Sequence, residues 1–303
     1  MPDSTTLPAL PRHQVFSPAR IGAIASNTLL ELVRLKVFYF LLIFALLIIG
    51  SSAFMVRLSF QEQFQMLKDV SLGSMSVFTW LLAVLATAML LPKDIEDRTL
   101  YTILAKPVPR FEYLLGKVLG VLLLLLISTL MMSLMFAVTL YFRQQMAIAE
   151  NLQGVPPGTD PKIIASVIAD VKSHTFSWSL APAIACIYTK AAIFACITLF
   201  ISTYATSWIF TIMVSTVAFL IGYFESTARE YWLAGQVPSI FVKGVLLLIA
   251  LVFPDLQLFN LEDDIDAGNA ISMILFLKTA GLGVVYTCVY FFLAYFVFAK
   301  KEL

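Results

Sequence analysis

Six long apolar runs constrain this chain more than any other feature of its sequence. They cover about residues 37–56, 72–91, 118–142, 181–203, 208–224 and 273–298. An α-helix rises 1.5 Å per residue, so about 20 apolar residues cross a hydrocarbon core roughly 30 Å thick. Hydrophobic residues make up 60% of the chain and charged residues only 13%, well below the share typical of a soluble domain. The sequence therefore predicts an all-α, polytopic membrane protein with six transmembrane helices.

A seventh apolar run, Ser239 to Phe253, is too short to cross a membrane. It lies between Pro238 and Pro254 and contains Lys243. Its length as a helix is only about 22 Å. We interpret it as a re-entrant or interfacial helix within an outer segment, 225–272.

The distribution of basic residues indicates which side of the membrane each loop occupies. If both termini are cytoplasmic, the inner segments hold 11 Lys and Arg in 71 residues, and these segments are 1–36, 92–117, 204–207 and 299–303. The outer segments hold 7 in 101 residues, and they are 57–71, 143–180 and 225–272. Cytoplasmic loops of membrane proteins are enriched in basic residues. We therefore expect cytoplasmic N- and C-termini in a cell membrane, the inner membrane of a bacterium.

The N-terminal region divides into two parts. Residues 1–17 are polar and proline-rich, and we expect them to be disordered, with no cleavable signal and the first span acting as the insertion signal. Residues 18–36 follow an amphipathic helical pattern, with one apolar face formed by Ile21, Ala25, Thr28, Leu32 and Leu35. Such a helix lies in the membrane interface. It leads into the transmembrane domain, 37–303, and either passes movement to it or serves as a passive anchor.

The segment 92–117 is the longest charged island that lies directly between two spans. Nine of its 26 residues are charged, five basic and four acidic. Asp94 to Ala105 fits a short helix, and Lys106 to Pro109 favours extended backbone because a residue before proline avoids the helical region. A second helix is predicted to start near Arg110 and to run into the third span. This pattern is typical of a rigid docking element for a soluble partner, whereas a merely solvated loop would contain more Gly and Ser.

Little else in the chain carries chemistry. Gly116-Lys117 lacks the upstream glycine of a phosphate-binding loop, and His13 and His174 fall on opposite sides of the predicted membrane. The predicted spans contain no acidic residue, and the three cysteines show no metal-binding spacing. We therefore expect no enzymatic activity, no metal site and no nucleic-acid partner. The Gly116-x-x-x-Gly120 spacing allows a close helix contact without specifying the helix that makes it.

Lys190 is the charged residue nearest the middle of a predicted span. An ionisable group inside a membrane is a candidate functional residue. Lys190 is a candidate for a gate or a substrate path if the fourth span starts near Ala181. If the helix starts nearer Ala185, the ammonium can reach the interface instead.

The island resembles the signature loop of type-2 ABC exporter permeases. The matching residues are Glu96, Thr99, Leu100, Leu104, Pro107, Val108, Arg110, Glu112, Leu114, Leu115, Gly116 and Lys117. Asp97-Arg98 stands where that family often has a glycine. Two later stretches are also similar, LFISTYATS at 199–207 and PDLQLFNL at 254–261, and the closest subgroup is the one that includes the permease of the copper-maturation machinery for nitrous oxide reductase.

The resemblance implies the membrane subunit of an ATP-driven exporter. The fold would combine six transmembrane helices with an N-terminal interfacial helix, a cytoplasmic coupling helix and a re-entrant outer helix. Partners would be an ABC ATPase dimer, a second permease copy (identical or a paralogue) and membrane lipid. ATP and Mg would bind to the ATPase and no cofactor to this chain. The residues expected to couple to the ATPase are Glu96, Arg98, Thr99, Leu100, Leu104, Pro107, Pro109, Arg110 and Glu112.

Two other functions fit the residues. One is a non-transporting membrane scaffold that recruits a soluble protein or assembles a membrane complex. The other is an ATP-independent carrier or channel, for which internal repeats or intramembrane acids would be expected. The cargo is not specified by any motif.

Overall fold

The computed structural model describes most of the chain, and all the secondary structure in its described residues is helical. The described residues are 16–54, 60–96, 108–153, 161–175, 179–205, 207–233, 242, 244, 247, 253–260 and 272–301. The helices are α1 (Pro18–Val33), α2 (Lys36–Ser51), α3 (Phe60–Ala88), α4 (Leu90–Glu96), α5 (Arg110–Gln153), α6 (Pro161–Thr175), α7 (Leu180–Tyr204), α8 (Trp208–Leu233) and α9 (Met273–Lys300). Two short 3-10 turns, Ser52–Phe54 and Gln257–Phe259, complete the described elements.

Six of these helical segments are long and apolar enough to cross a membrane. They are Lys36–Phe54, Gln63–Asp94, Arg110–Gln153, Leu180–Tyr204, Trp208–Ser226 and Met273–Lys300. Each overlaps one of the six apolar runs of the sequence, which confirms the all-α, multi-pass fold class and, within the described residues, the six predicted spans.

The second span continues past its proline. It breaks only at Met89, and α4 then carries the chain through Pro92 to Glu96. Pro92 is the third residue of α4, and a proline in a first turn leaves no helical hydrogen bond unmade. Asp94 is therefore on the helix that ends the span, and α4 includes the predicted helix 94–105 as far as Glu96, while residues 97–105 lie outside the described residues.

The helix α5 is much longer than a membrane requires. Its 44 residues extend about 66 Å, more than twice the thickness of a hydrocarbon core. It starts at Arg110 as predicted and continues beyond the predicted span to Gln153. Its two ends therefore project out of the bilayer, and the first turns carry part of the charged island.

The most central helix of the bundle is α7. It packs against α9, α3, α5 and α8, and every residue from Lys190 to Leu199 is buried. The neighbouring helices expose apolar faces of the kind that contact lipid, as expected where lipid replaces water as the solvent.

The N-terminal helix α1 lies along the start of α5. A Cβ added to Gly116 would be 2.7 Å from the Cβ of Ile24, and one added to Gly120 would be 2.6 Å from the Cβ of Thr28. The two glycines therefore form the groove that receives α1. The predicted apolar face of α1 is buried at Ile21, Ala25, Thr28 and Leu32. The helix ends at Val33, earlier than predicted. Arg34 is its C-cap, and Leu35 has extended backbone and immediately precedes α2.

Several predicted features lie outside the described residues. The segment 1–17 is described only at residues 16 and 17, and the re-entrant run 239–253 only at 242, 244, 247 and 253. The tip of the charged island, residues 97–107, is also outside the described part of the chain.

Candidate functional site

The base of the charged island is held together by a buried ion pair. Lys117 Nζ on α5 lies 2.7 Å from the Asp94 carboxylate on α4, and the Tyr113 hydroxyl donates a hydrogen bond to the same carboxylate. Asp94 and Tyr113 are buried, and Lys117 is only 4% exposed. The pair therefore joins the helix before the island to the helix after it, and we call these two helices the stems of the island.

The helix α1 is attached to both stems by charge. Glu31 lies 2.7 Å from Lys93 Nζ on α4 and 3.7 Å from Lys117 Nζ on α5. These contacts continue the Asp94–Lys117 pair into a four-residue network, which we call the stem network. It consists of Glu31, Lys93, Asp94 and Lys117, with Tyr113 as a hydroxyl donor.

A second attachment involves Glu112 in the first turn of α5. Its carboxylate lies 2.8 Å from Arg20 Nε, and it accepts hydrogen bonds from Arg20 Nη2 at 3.0 Å and from the backbone N–H of Ser17 at 2.8 Å. Glu112 is 1% exposed. An acidic side chain in the first turn also interacts favourably with the helix dipole. The residue therefore fixes the start of α1 to the start of α5.

Arg110 joins the island to the last transmembrane helix. One guanidinium nitrogen donates to the carbonyl oxygens of Phe298, Ala299 and Lys301, at 3.2, 2.8 and 3.1 Å. Carbonyls in the last turn of a helix have no partner inside the helix, and a cation there is favoured by the dipole. The Lys301 ammonium in turn donates to the carbonyl oxygen of Thr203 at 2.9 Å, near the end of α7.

These contacts define one end of the bundle, which we call the loop face. It brings together the end of the second span, the start of the third and the ends of the fourth and sixth, marked by Asp94, Arg110, Thr203 and Lys301. The helix α1 lies against the same end. A displacement of the island would therefore act on four spans.

The predicted coupling residues fall into three groups. Glu112 is buried and Arg110 is partly buried, and both contact neighbouring helices, while Pro109 accepts a backbone hydrogen bond from Tyr113 at the start of α5. Glu96 is the last residue of α4. The remaining predicted coupling residues lie outside the described residues, and they are Arg98, Thr99, Leu100, Leu104 and Pro107.

Sequence reasoning missed the pairing of Asp94 with Lys117 and the partners of Arg20 and Glu31. The signal available was an acid at the end of one span facing a base at the start of the next. Spacing along the chain does not give the rotation of two helices about their axes, so the pairs become visible only when the helices are packed.

Lys190 is held in the interior of the bundle. Its ammonium donates to Asn260 Oδ1 at 2.7 Å and to Ser76 Oγ at 3.2 Å, and the residue is 5% exposed. The helix α7 begins at Leu180, before the alternative start at Ala185, so Lys190 lies about 15 Å along the helix. Its partners belong to the second span and to the segment 253–260.

The segment 253–260 is anchored at the end of the bundle opposite the loop face. The backbone N–H of Leu256 donates to the carbonyl of Gly222 at 3.3 Å, and Asp255 lies 3.4 Å from Arg229. Arg229 also lies 2.7 Å from Glu225, and its hydrogen bonds to that carboxylate raise the pKa of the guanidinium above its ordinary value. Together with Asn260, these contacts connect the segment to α8 and α7.

Glu225 corrects one prediction about the spans. The fifth span was predicted to end at residue 224 and to contain no acid, whereas the apolar helical span runs to Ser226 and Glu225 is buried within it. The carboxylate is tolerated because Arg229, one turn later on α8, neutralises it.

No group of His, Cys, Asp and Glu side chains suited to a metal ion is found among the described residues. Cys186 and Cys196 are buried free thiols, and Cys288 is an exposed one.

Comparison with protein families identifies the family of the chain. A family model described as ABC-2 family transporter protein matches residues 23–303. No curated protein matches the chain. The matched region includes most of α1, the charged island, all six spans and the segment 253–260.

Proposed function

The chain belongs to the ABC-2 family of transporter proteins, and from this premise we propose that it is the permease subunit of an ATP-driven exporter. Membership and the six apolar helices make it a multi-pass membrane protein and a transport subunit. In the proposed mechanism, a separate ATPase binds ATP and Mg, and its closure drives alternating access in this chain. The cargo stays unassigned, and the likeness to the copper-maturation subgroup is a prediction from sequence motifs alone.

The observation that carries this proposal is the stem network beneath the charged island. A loop that receives force must pass it on without bending at its base. Asp94 and Lys117 connect the two stems at 2.7 Å, and Glu31 connects both to α1. A solvated connecting loop has no need for a buried ion pair, which costs desolvation energy to form.

Contact with the ATPase is assigned to the tip of the island and to Glu96, the residue that precedes it. We assign Glu96, Arg98, Thr99, Leu100 and Leu104 to the contact surface, and Pro107 and Pro109 to the bend that follows it. Arg110 and Glu112 act one step later in this scheme, because both hold neighbouring helices. A pair of ATPase subunits and a second permease copy, identical or a paralogue, would complete the transporter.

We place the loop face in the cytoplasm of the cell, with both termini on that side of the membrane. The density of Lys and Arg in the segments that join this face supports the assignment, since 11 of these residues fall in 71 positions there and 7 fall in 101 on the other side.

Lys190 is proposed as a gate residue near the outer half of the bundle. Its hydrogen bond to Asn260 is one of the links between α7 and the segment 253–260. Opening of the outer end of the bundle would separate these two residues.

The test replaces two apolar residues at the tip of the island. A Leu100→Asp, Leu104→Asp double variant is expected to lose the ATP hydrolysis that co-purifies with the tagged wild-type chain from native membranes, while its amount in the membrane stays unchanged. A matched control is Ala165→Asp, Ala169→Asp, which puts two carboxylates on the exposed surface of α6. ATP hydrolysis retained by the Leu100, Leu104 variant would contradict docking at the tip. Co-purification of a partner without any ATP hydrolysis in the wild type would favour the scaffold function.

A further inference from the structure

A groove at the loop face lies between the ends of α7 and α9. Its volume is about 500 Å³, within the range of small-molecule sites. It is lined by Thr203, Tyr204, Phe296, Val297, Lys300 and Lys301. Because both helices are transmembrane and both end here, the groove lies at the level where the bilayer meets water.

The charged side of the groove is formed by two consecutive lysines. Lys300 is exposed, and within the described part of the chain its ammonium makes no hydrogen bond or ion pair. The Lys301 ammonium donates one hydrogen bond to the carbonyl of Thr203 and retains two further N–H groups. Arg110 already donates hydrogen bonds to the last carbonyl oxygens of α9. The Lys300 ammonium is therefore not needed to cap this helix end and is available to a ligand.

The other side of the groove is apolar and faces outward from the bundle. Phe296 is 60% exposed and Tyr204 is 63% exposed. Aromatic side chains are enriched at the membrane interface, where an apolar ring and a polar end are both accommodated. A ligand that matches the groove therefore has a negative head and an apolar body.

We propose that this groove binds the headgroup of an anionic phospholipid, with the phosphate beside Lys300 and the acyl chains along Phe296 and Val297. A free phosphate ion would use the lysines but not the apolar wall. The assignment of this lipid to the inner leaflet rests on the proposed orientation of the loop face. Binding itself needs no ATPase, so its measurement is independent of the proposed transport function.

The test counts lipids bound to the purified full-length chain. The protein is reconstituted in nanodiscs with equal parts of phosphatidylcholine and phosphatidylglycerol, and the lipids retained after release are counted by native mass spectrometry. We expect the wild type to retain phosphatidylglycerol in preference, and Lys300→Gln to lower this preference about fivefold, the effect of one lysine near a membrane surface. Lys300→Arg keeps the charge and is expected to keep the preference.

The matched control is Lys278→Gln, which removes an exposed lysine near the other end of the same helix. It is expected to leave the preference unchanged. Equal losses in Lys278→Gln and Lys300→Gln would show a general charge effect and overturn the proposal. An unchanged preference in Lys300→Gln would also overturn it, as would displacement of phosphatidylglycerol by excess inorganic phosphate, which would identify a site for a free anion.

Discussion

Among individual side chains, burial distinguishes the ion pair that fixes the base of the charged island from the more exposed ion pair beside it. The Lys117 and Asp94 side chains are 5% and 9% exposed, whereas those of Lys93 and Glu31 are 44% and 31% exposed. An exposed pair contributes at most about 1 kcal/mol, because water and ions screen it. Removal of one partner from a buried pair costs more, because the other charge is left in a medium that solvates it poorly.

We expect Lys117→Met to lower the free energy of unfolding by about 3 kcal/mol. The change leaves the Asp94 carboxylate buried beside Tyr113 without its ammonium partner. A second change, Asp94→Asn, should recover part of this loss, because it removes the uncompensated charge. Thermal unfolding of the purified chain measures each variant, and Lys93→Met is the matched control, with an expected effect of about 1 kcal/mol or less. Equal losses for the two lysines would contradict the assignment of the rigid base to the buried pair.

Lys190 and Asn260 are expected to act as a pair in transport. Lys190→Met and Asn260→Leu both remove the 2.7 Å hydrogen bond between α7 and the segment 253–260. If this bond is broken when the bundle opens, both variants shift the transport-coupled rate of ATP hydrolysis in the same direction. The double variant should shift it no further than the larger single effect.

The measurement is ATP hydrolysis by the reconstituted complex of permease and ATPase. Lys278→Met serves as the control, because this lysine lies near the end of α9 and is exposed. A rate for Lys190→Met that equals that of the wild type would assign this lysine a purely structural role.

Among the helices, the contact of α1 with α5 depends on two positions without side chains. An added Cβ at Gly120 would lie 2.6 Å from the Cβ of Thr28 and 2.8 Å from the carbonyl oxygen of Ala25. Neither atom is the end of a flexible side chain, so the helices must separate to admit a methyl group. Arg20 and Glu31 both lie on α1, so this separation would lengthen their ion-pair distances to Glu112 and Lys117 on α5.

Gly120→Ala is accordingly expected to expose the face of α1 that packs on α5. A cysteine at Ala25, which is 4% exposed, reports this movement in a background without the three native cysteines. Its rate of reaction with a water-soluble maleimide should rise severalfold in the Gly120→Ala variant. Gly73→Ala is the matched control, because no atom lies within 4 Å of an added Cβ there. A rise in the control as well would show that the labelling reports general loosening.

Hydropathy was sufficient to predict the helices that cross the membrane, but not where they end. The six apolar runs correspond to the six spans. Lipid offers no water to the backbone N–H and C=O groups, and a helix satisfies these groups with its own hydrogen bonds. The start of α5 at Arg110 was predictable from the two prolines that precede it. Its extension to Gln153 was not, because polar residues continue the helix in water, where hydropathy gives no signal.

The candidate site was predictable to the level of a segment. The charge and the prolines of 92–117 single out the segment in the sequence, whereas a coupling role for Arg110 and Glu112 stays a prediction. Their partners, the carbonyls of α9 and Arg20, come from regions distant in sequence. Pairing across such distances follows from the packing of α1 and α9 against α5, which no local pattern encodes.

Across the chain, the loop face fixes the relative orientation of the spans. Asp94, Arg110, Thr203 and Lys301 belong to four different spans and meet at one end of the bundle. Assignment of any one of them to a side of the membrane therefore assigns the others. The segment 253–260 belongs to the other end, since it contacts Gly222 and Lys190.

Cysteine labelling in intact cells tests this orientation. In a background without native cysteines, Ala165→Cys on α6 is expected to react with a membrane-impermeant maleimide from outside the cell, because α6 lies in the segment 143–180, which the proposed orientation places outside. Thr99→Cys, at the tip of the island, should react only after the membrane is permeabilised. The physical reason is the cost of moving Lys and Arg across the bilayer during insertion, which retains the basic segments inside. Labelling of Thr99→Cys in intact cells would place the island on the outer surface, where no cytoplasmic ATPase reaches it, and would contradict the orientation and the coupling mechanism together.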